Sequence, residues 1–588
     1  MDNLQYVLSK IARRQWLAVC LAGIAPLVIR ALLMPWMPVP NPRVQDEFSH
    51  LLVADTFADG RVVNPPHAMR VHFESMHIIV EPVYASVYPV APGLMMAAGK
   101  TVFAHPWAGV WMSVGLMCAA LCWMLQGWVS PEWALTGALL AAARWGVFSY
   151  WMNSYYGGAL AAAGGALVLG ALPRAIRWGG WQYGAIMGLG LAILANSRPY
   201  EGMLLGGPVA AVLLWKLHWR PHRGAVLAGL IVVISVAAAG TGWYFFRVTG
   251  SPAMLPYSFY RSHFTEAPHF IFQQPRAKPV YHHRVLHDFH ANWEMACYND
   301  ARHNRPPHGV RDKGIGYLRF YFGPWLAVAG IAALWSWRKP RVRFLLFLLA
   351  LMAVGLSIQV WDANHYAAPA MGLVLLIATE GVRRLQNVAP RWIFLALVAG
   401  CALTPVVGGG DKTADGSLRA GVLKQLETAG GKHLVVVRYT RNHDVGNEWV
   451  YNAANIDLAA VVWAREMDPT SNRALVDYFA GRQLWIVEPD KRPIELRPYD
   501  PAIAPIPPFR FVKFGTPEIQ VLASPERMKA DIQSRAPASH LSCDQWNYWF
   551  TAVTGVEAPD PSNGCFPPGQ RKGPVAFQDW FAWIEKQR

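Results

Sequence analysis

The chain has 588 residues, of which 53% are hydrophobic and only 15% are charged, and it contains 27 Trp. Such a chain is too long and too apolar to be one soluble domain. The net charge of +16 does not indicate nucleic-acid binding, because the basic residues cluster in short segments between long apolar stretches. The composition therefore predicts a polytopic α-helical membrane protein.

The apolar stretches are long enough to cross a membrane, for which a helix needs about 20 residues. In chain order they predict about 11 transmembrane helices, near 16–36, 107–126, 132–149, 157–172, 182–196, 202–216, 225–246, 318–336, 343–360, 366–380 and 391–408. No cleavage site of small residues follows the first stretch, so we expect it to be an uncleaved anchor.

Basic residues indicate which side of the membrane each loop occupies, because cytoplasmic loops retain Lys and Arg. Lys10, Arg13 and Arg14 precede the first span, which predicts a cytoplasmic N-terminus. The later basic groups fall on the same side if 92–104 is an interfacial helix and not a span. We therefore expect a protein of the bacterial inner membrane, with a first outer loop (37–106) and a long outer loop (250–316) on the periplasmic side.

The composition changes after the last span, which predicts a transmembrane module at 1–410 and a periplasmic α/β domain at 411–588. Short β-rich runs alternate with helical stretches in this part. The strands are expected at 433–439, 459–464, 484–488 and 509–514, and the helices at 418–428 and 472–479. Cys543 and Cys565 also fall here, where a disulfide is chemically permitted, but the sequence does not decide whether they pair.

Asp46 and Glu47 stand together about ten residues beyond the first apolar stretch. Beside a bilayer, paired carboxylates can act as a base or as metal ligands for a substrate that arrives in the lipid. The structural alternative is that Asp46 caps the helix that 47–58 would form. We favour a catalytic role for Asp46, which does not exclude capping.

Three polar turns converge on the same outer side. The turn with Asn153 and Tyr156 is rich in rings and glycine, which suits either a sugar or an ordinary membrane interface. Arg198 breaks a long apolar stretch and can pair with Glu201 or bind a phosphate with two hydrogen bonds; we favour the phosphate. His365 can donate to a phosphate, carry a proton or be a satisfied interface histidine.

Metal binding is left open by the sequence. His283 and His287 are four residues apart in the long outer loop and could face one way on a helix. Glu81 and His77 are the candidate metal ligands of the first outer loop. No spacing requires a metal, so a divalent cation remains an open cofactor.

The first outer loop opens with Asp46-Glu47 and continues through Tyr88-Pro89 and Pro92-Gly93 into the interfacial helix. In this respect the chain resembles the GT-C superfamily of integral membrane glycosyltransferases. The nearest groups are the protein O-mannosyltransferases, the aminoarabinose transferases of lipid A and the bacterial RgtA/B/C/D-like proteins. The stretch from Tyr88 to Gly93 departs from the adjacent prolines usual in these groups.

The resemblance implies a fold and a reaction. It implies a GT-C-like membrane module, a polyprenyl-phosphate sugar as donor, a lipid, glycan or protein acceptor, and inverting transfer on the periplasmic face with Asp46 as general base. The catalytic candidates are Asp46 and Glu47, and the donor-binding candidates are Arg198, His365, Tyr366, Asn153, Tyr156 and Tyr88.

Two other classes stay open. A flippase for a lipid-linked sugar should show paired polar residues inside the spans or two similar halves, and we find neither. An O-antigen ligase or polymerase with a diphosphate-linked donor stays open because the long outer loop is rich in Arg and His.

Overall fold

The computed structural model describes residues 9–386, 399–400, 416–440, 443–500, 546, 576 and 578–582. This part of the chain is mainly helical. Its α-helices include Gln15–Leu32, Gln45–Ala58, Ala91–Phe103, Trp107–Gln126, Pro131–Ala141, Ala159–Trp178, Trp181–Ala195, Pro199–Leu217, Arg223–Thr249, Pro256–Phe264, Arg284–His287, Glu294–Arg302, Val310–Tyr317, Gly323–Ala333, Pro340–Ser357, Met371–Gln386, Gly416–Ala429 and Pro469–Tyr478. The π segments Ala142–Gly146, Asp288–Trp293 and Leu318–Phe322 and the 3₁₀ segments Arg70–Phe73, Leu334–Ser336 and Asn364–Ala370 continue or link them.

Within the described residues, seven helical stretches are long and apolar enough to cross a membrane, as expected of a membrane protein. They are Gln15–Leu32, Trp107–Gln126, Ala159–Trp178, Arg223–Thr249, Val310–Ser336, Pro340–Ser357 and Asn364–Gln386. Trp181–Ala195 is apolar but shorter. Helices also occupy the predicted spans at 132–149 and 202–216. The predicted span at 391–408 lies outside the described residues except for 399–400, and the count of about 11 spans stays a prediction.

A helix, Ala91–Phe103, occupies the segment that was expected to form the interfacial helix. It packs against Gln45–Ala58, which we call the site helix, and a Cβ at Gly93 would lie only 2.3 Å from Cγ1 of Val53. Glycine therefore allows the close approach that sets the position of the site helix on this platform.

In the first outer loop, the strands β1 (Ile78–Ile79) and β2 (Ala85–Ser86) form a pair. The C-terminal part contains a separate sheet of four strands, β3 (His433–Val437), β4 (Val461–Arg465), β5 (Gln483–Val487) and β6 (Leu496–Pro498). Their order in the sheet is β4-β3-β5-β6. The strand β3 is parallel to β4 and β5, and β6 is antiparallel to β5. Three of the predicted strands and both predicted helices coincide with these elements. The predicted strand at 509–514, Cys543 and Cys565 lie outside the described residues.

The sheet shares a hydrophobic core with the first outer loop. Phe48 and Leu52 of the site helix are buried in one cluster with Leu434 and Tyr451 of the C-terminal part. The rings of Phe48 and Tyr451 are stacked, with centroids 4.4 Å apart and planes within 5°. The side of the site helix that carries Phe48 is therefore supported by residues far along the chain.

Candidate active site

The site helix begins where Glu47 satisfies the first free N–H groups of the helix. Oε2 of Glu47 accepts hydrogen bonds from the backbone N–H of Arg43 at 2.6 Å and of Val44 at 3.1 Å. Its Oε1 accepts from the backbone N–H of Tyr155 at 3.0 Å. Burial raises the pKa of Glu47, although these three bonds oppose the rise. Glu47 thus joins the helix to the loop around Tyr155, and the catalytic role predicted for it finds no support in these contacts.

The neighbouring carboxylate, Asp46, is held by two side chains of the first outer loop. Its Oδ1 lies 3.0 Å from Nδ1 of His77 and accepts a 2.6 Å hydrogen bond from the hydroxyl of Tyr88. Burial opposes ionisation of Asp46, but the hydrogen bond and charge of His77 and the hydrogen bond of Tyr88 bring its pKa well below the usual range. Asp46 is an anion at neutral pH. Tyr88, predicted to bind the donor, instead orients this carboxylate.

His50 lies one helical turn after Asp46 and belongs to the same site. Its ring stacks on Tyr88 with centroids 4.7 Å apart, and its buried Nδ1 has no hydrogen-bond partner in the described structure. Burial lowers the pKa of His50 to about 4, with Asp46 opposing and Arg198 adding to the effect. This imidazole is therefore neutral at pH 7, able to donate one hydrogen bond and accept another.

Arg198 brings a positive charge to the site. It directly precedes the helix Pro199–Leu217, and its guanidinium lies over the ring of Tyr366 at 4.5 Å from the centroid. Asp46 and Glu201 act on this charge electrostatically, but no described residue forms an ion pair or side-chain hydrogen bond with the guanidinium. Glu201 instead accepts a 3.0 Å hydrogen bond from Gln359. Arg198 is thus available for an anionic ligand, and its binding of a phosphate stays a prediction.

His365 is buried in a group of tyrosines beside Arg198. Its Nδ1 lies 3.0 Å from the hydroxyl of Tyr150, and its ring meets that of Tyr156 edge-on at 5.4 Å. Electrostatic interactions link His365 with Arg198 and Asp46. The structure therefore brings Asp46, Arg198, His365, Tyr366 and Tyr156 together, although they come from four separate segments.

Asn153 does not join this group. Its Oδ1 accepts a 3.0 Å hydrogen bond from Nε of Arg30, and its Nδ2 donates to the carbonyls of Val147 and Ser149, both at 2.9 Å. These hydrogen bonds use both polar atoms of the Asn153 side chain to hold its own turn in place. The prediction that Asn153 binds the donor is not supported by its position.

The residues proposed for a metal have separate partners. Glu81 is exposed and forms an ion pair with Arg70 at 2.8 Å, whereas His77 is bonded to Asp46. His283 and His287 are likewise engaged with different groups, Val71 and Asp288. Among the residues that the structure describes, no three His, Cys, Asp or Glu side chains form a group that could hold a metal ion. The donor set at Asp46 does not fit a preformed divalent-cation site.

A buried polar chain supports the site from the long outer loop. The backbone N–H of His77 donates to the hydroxyl of Tyr260 at 3.2 Å, and that hydroxyl lies 2.9 Å from Nε2 of His290. Nδ1 of His290 lies 2.9 Å from Glu294, which also accepts from Arg261 at 3.1 Å. The charge of Arg261 is therefore neutralised by Glu294 within the protein.

Sequence reasoning missed several members of the site. His50 could have been recognised from its four-residue spacing from Asp46, which places both on one helix face. Tyr150 lies in a turn that had been singled out for its rings. Tyr260, His290 and Glu294 carry no local signal, because their contacts with the first outer loop cross more than 180 residues.

The site thus combines the anionic carboxylate of Asp46 with the guanidinium of Arg198, which has no ion-pair partner among the described residues. No protein-family model matches the sequence, and no curated protein matches it. Among solved structures, the chain is similar to the Archaeoglobus fulgidus oligosaccharyltransferase in the apo form, with 11% identity and a TM-score of 0.42 over 79% of this chain and 69% of that chain.

A second similar structure is the archaeal oligosaccharyltransferase AglB from Archaeoglobus fulgidus in complex with an inhibitory peptide and a dolichol-phosphate. It has 11% identity and a TM-score of 0.35, again over 79% of this chain and 69% of that chain. Both similar structures are of an oligosaccharyltransferase. At these TM-scores they carry no argument about the chemistry, for which the geometry of the site is the only basis.

Proposed function

We propose that the protein transfers a sugar from a polyprenyl-phosphate donor to an acceptor hydroxyl, with inversion at the anomeric carbon. This proposal rests on two charged residues of one site: an ionised Asp46, and an Arg198 that has no anionic partner in the described structure. The two residues influence each other electrostatically without forming an ion pair. Such an arrangement suits a ligand whose phosphate meets the arginine and whose reacting carbon lies toward the carboxylate.

The donor phosphate is assigned to Arg198 and His365. Arginine binds phosphate oxygens with two parallel hydrogen bonds, and the start of Pro199–Leu217 adds the positive end of a helix dipole. The rings of Tyr366 and Tyr156 border this position. The prenyl chain extends along the apolar helices, whose exposed residues include Met203 and Trp243.

In the reaction, the acceptor oxygen forms a bond to the anomeric carbon as the bond from that carbon to the phosphate oxygen breaks. The phosphate leaves with the electron pair, and Arg198 stabilises the charge that develops on it. The acceptor hydroxyl loses its proton to a base, and Asp46 is the basic centre of the site. A positioned base contributes about 10²- to 10⁴-fold to such a step.

The same contacts favour a monophosphate over a diphosphate-linked donor. A diphosphate adds negative charge, which would call for further free cations. In the long outer loop, Arg261 is already bonded to Glu294 and Arg284 to Asp288. The single guanidinium of Arg198 suits one phosphate group.

The test is sugar transfer by the purified protein in lipid, from a labelled panel of polyprenyl-monophosphate and polyprenyl-diphosphate sugars. We expect transfer from a monophosphate donor, and its loss in Asp46→Asn. The matched control is Asp55→Asn on the same helix, where the carboxylate forms a partly exposed ion pair with Lys100. If transfer requires a diphosphate donor, the protein is assigned to the ligase class instead. If the lipid moves across the membrane without sugar transfer, the protein is assigned as a flippase.

A further inference from the structure

His77, which contacts Asp46, has a strained backbone that is held in place by hydrogen bonds. The backbone of His77 is left-handed, with φ of 61°, a conformation that is strained in a residue other than glycine. Its carbonyl accepts from Ser49 Oγ at 2.7 Å and from the backbone N–H of Val87 at 3.3 Å. Its N–H donates to Tyr260. Bonds from three separate segments thus fix this strained backbone in place.

The hydrogen bonds at Asp46 determine which ring nitrogen of His77 carries the proton. A carboxylate oxygen only accepts, so the hydroxyl of Tyr88 and Nδ1 of His77 must both present hydrogen to Oδ1 of Asp46. The single Tyr88 proton is then used on Asp46, and Nδ1 of His77 is the protonated nitrogen. When the ring carries only this proton, Nε2 is the basic nitrogen.

Nε2 of His77 is free to meet a substrate. No described residue forms a hydrogen bond with it, and it does not belong to the polar atoms that are sealed from solvent without a partner. The ring around it is confined by Phe289 at 5.6 Å and by Tyr260 at 6.2 Å, both edge-on. The side chain is therefore fixed in direction but open at this one atom.

We infer that Nε2 of His77 receives the proton of the acceptor hydroxyl, and that Asp46 acts through His77 by orienting the ring and stabilising the imidazolium. This inference rests on the proposed function and assigns its base to an atom. As the acceptor oxygen bonds to the anomeric carbon, the O–H bond breaks and the proton passes to Nε2. The bond to the donor phosphate breaks in the same step, and the phosphate keeps the electron pair. A base held by a third group through its other nitrogen is a recurring catalytic arrangement.

His77→Asn separates the two roles of the ring. Asparagine tolerates the left-handed backbone, and its amide can donate to Asp46 from about the position of Nδ1, but it offers nothing in place of Nε2. We expect kcat to fall by about 10²- to 10⁴-fold while the donor KM stays within a few-fold of that of the wild type. The control is His263→Gln, an exposed histidine of the long outer loop, which should transfer normally.

His77→Gly provides a second test that does not depend on the fold of the asparagine variant. Glycine accepts the left-handed backbone without strain and leaves space for a free imidazole. We expect added imidazole to restore part of the rate of His77→Gly and none of the rate of Asp46→Asn.

The outcomes distinguish this inference from the proposed function. If His77→Asn transfers at nearly the wild-type kcat while Asp46→Asn is inactive, Asp46 takes the proton itself and the inference is overturned, with glycosyl transfer intact. If imidazole restores no activity to a folded His77→Gly, the assignment to Nε2 is likewise overturned. If the wild-type protein transfers from no donor in the panel, the proposed function fails and the inference falls with it.

Discussion

The guanidinium of Arg198 rests on the ring of Tyr366, 4.5 Å from its centroid, and forms no ion pair with the nearby Glu201. A cation over an aromatic face is stabilised without losing its hydrogen-bond donors. Glu201 is kept apart by its bond to Gln359. The pair Arg198 and Tyr366 therefore presents a preoriented positive charge to the ligand.

Arg198→Ala should raise the donor KM by about 10- to 100-fold, because a hydrogen bond to a charged group contributes about 1.5–3 kcal/mol. The donor KM of Arg198→Lys should lie between those of the wild type and Arg198→Ala, because lysine keeps the charge but loses the planar fork and the stacking. The measurement is the transfer rate against donor concentration, with exposed Arg220→Ala as control. Equal KM values for Arg198→Ala and Arg220→Ala would remove Arg198 from the donor site.

Glu47→Gln should lower stability without affecting the chemical step. The new amide would direct an NH₂ group toward backbone N–H groups that now donate to the carboxylate, at a cost of about 1–3 kcal/mol. Thermal unfolding in detergent should show the loss, while the rate per folded molecule stays within a few-fold of wild type. The control, Glu132→Gln, alters an exposed ion pair with Arg13. A stable but inactive Glu47→Gln would restore the catalytic role predicted from the sequence.

His50 should make the fold less stable in mild acid. In the unfolded chain its ordinary pKa is 6.5, whereas burial lowers the folded pKa to about 4. Between these values the unfolded state binds more protons, so the contribution of His50 is full above pH 6.5 and is lost as the pH falls toward 4. At pH 5 the loss is about 2 kcal/mol.

The measurement for His50 is the thermal midpoint at pH 7 and pH 5. Asp46, Arg198 and His77 are the charged or titratable groups that act on this ring, and they remain in the variant His50→Gln. The wild-type midpoint should drop more between the two values than that of His50→Gln. Parallel drops would show that His50 is not neutral in the folded protein.

Glu81→Gln should leave transfer unchanged. Glu81 is exposed and pairs only with Arg70 in the described structure, and a surface ion pair contributes less than about 1 kcal/mol. Transfer should be measured with and without an added divalent cation, beside the wild type. A response to the cation that disappears in Glu81→Gln would establish the metal role predicted for this residue.

The position of Arg198 could be predicted because it interrupts a long apolar stretch, and that of Asp46 because it forms a pair of carboxylates shortly after one. A carboxylate or guanidinium at such a break is costly beside a membrane, and the cost itself marks the position. The strands of the C-terminal part were predictable for a similar reason, since short β-branched runs separated by turns have few other uses.

The partners of these residues could not be predicted, because they depend on distant contacts. The sequence leaves Asn153 available for a ligand, but in the structure its side chain accepts a hydrogen bond from Arg30. Arg30 is 123 residues away in the chain and is buried in a membrane helix. The capping role of Glu47 could not be predicted, because the N-cap residue of its helix is Val44 and not Ser or Thr. Only the folded chain reveals how these polar groups are used.

The shared core of the site helix and the C-terminal sheet sets an order for biosynthesis. Phe48 and Leu52 are made early, but Leu434 and Tyr451, which cover them, are added almost 400 residues later. A nascent chain that ends before residue 416 leaves that face of the helix exposed. This face of the site helix is therefore covered only after the C-terminal sheet has been made, and a product that is terminated before the sheet lacks this support for the helix that carries Asp46.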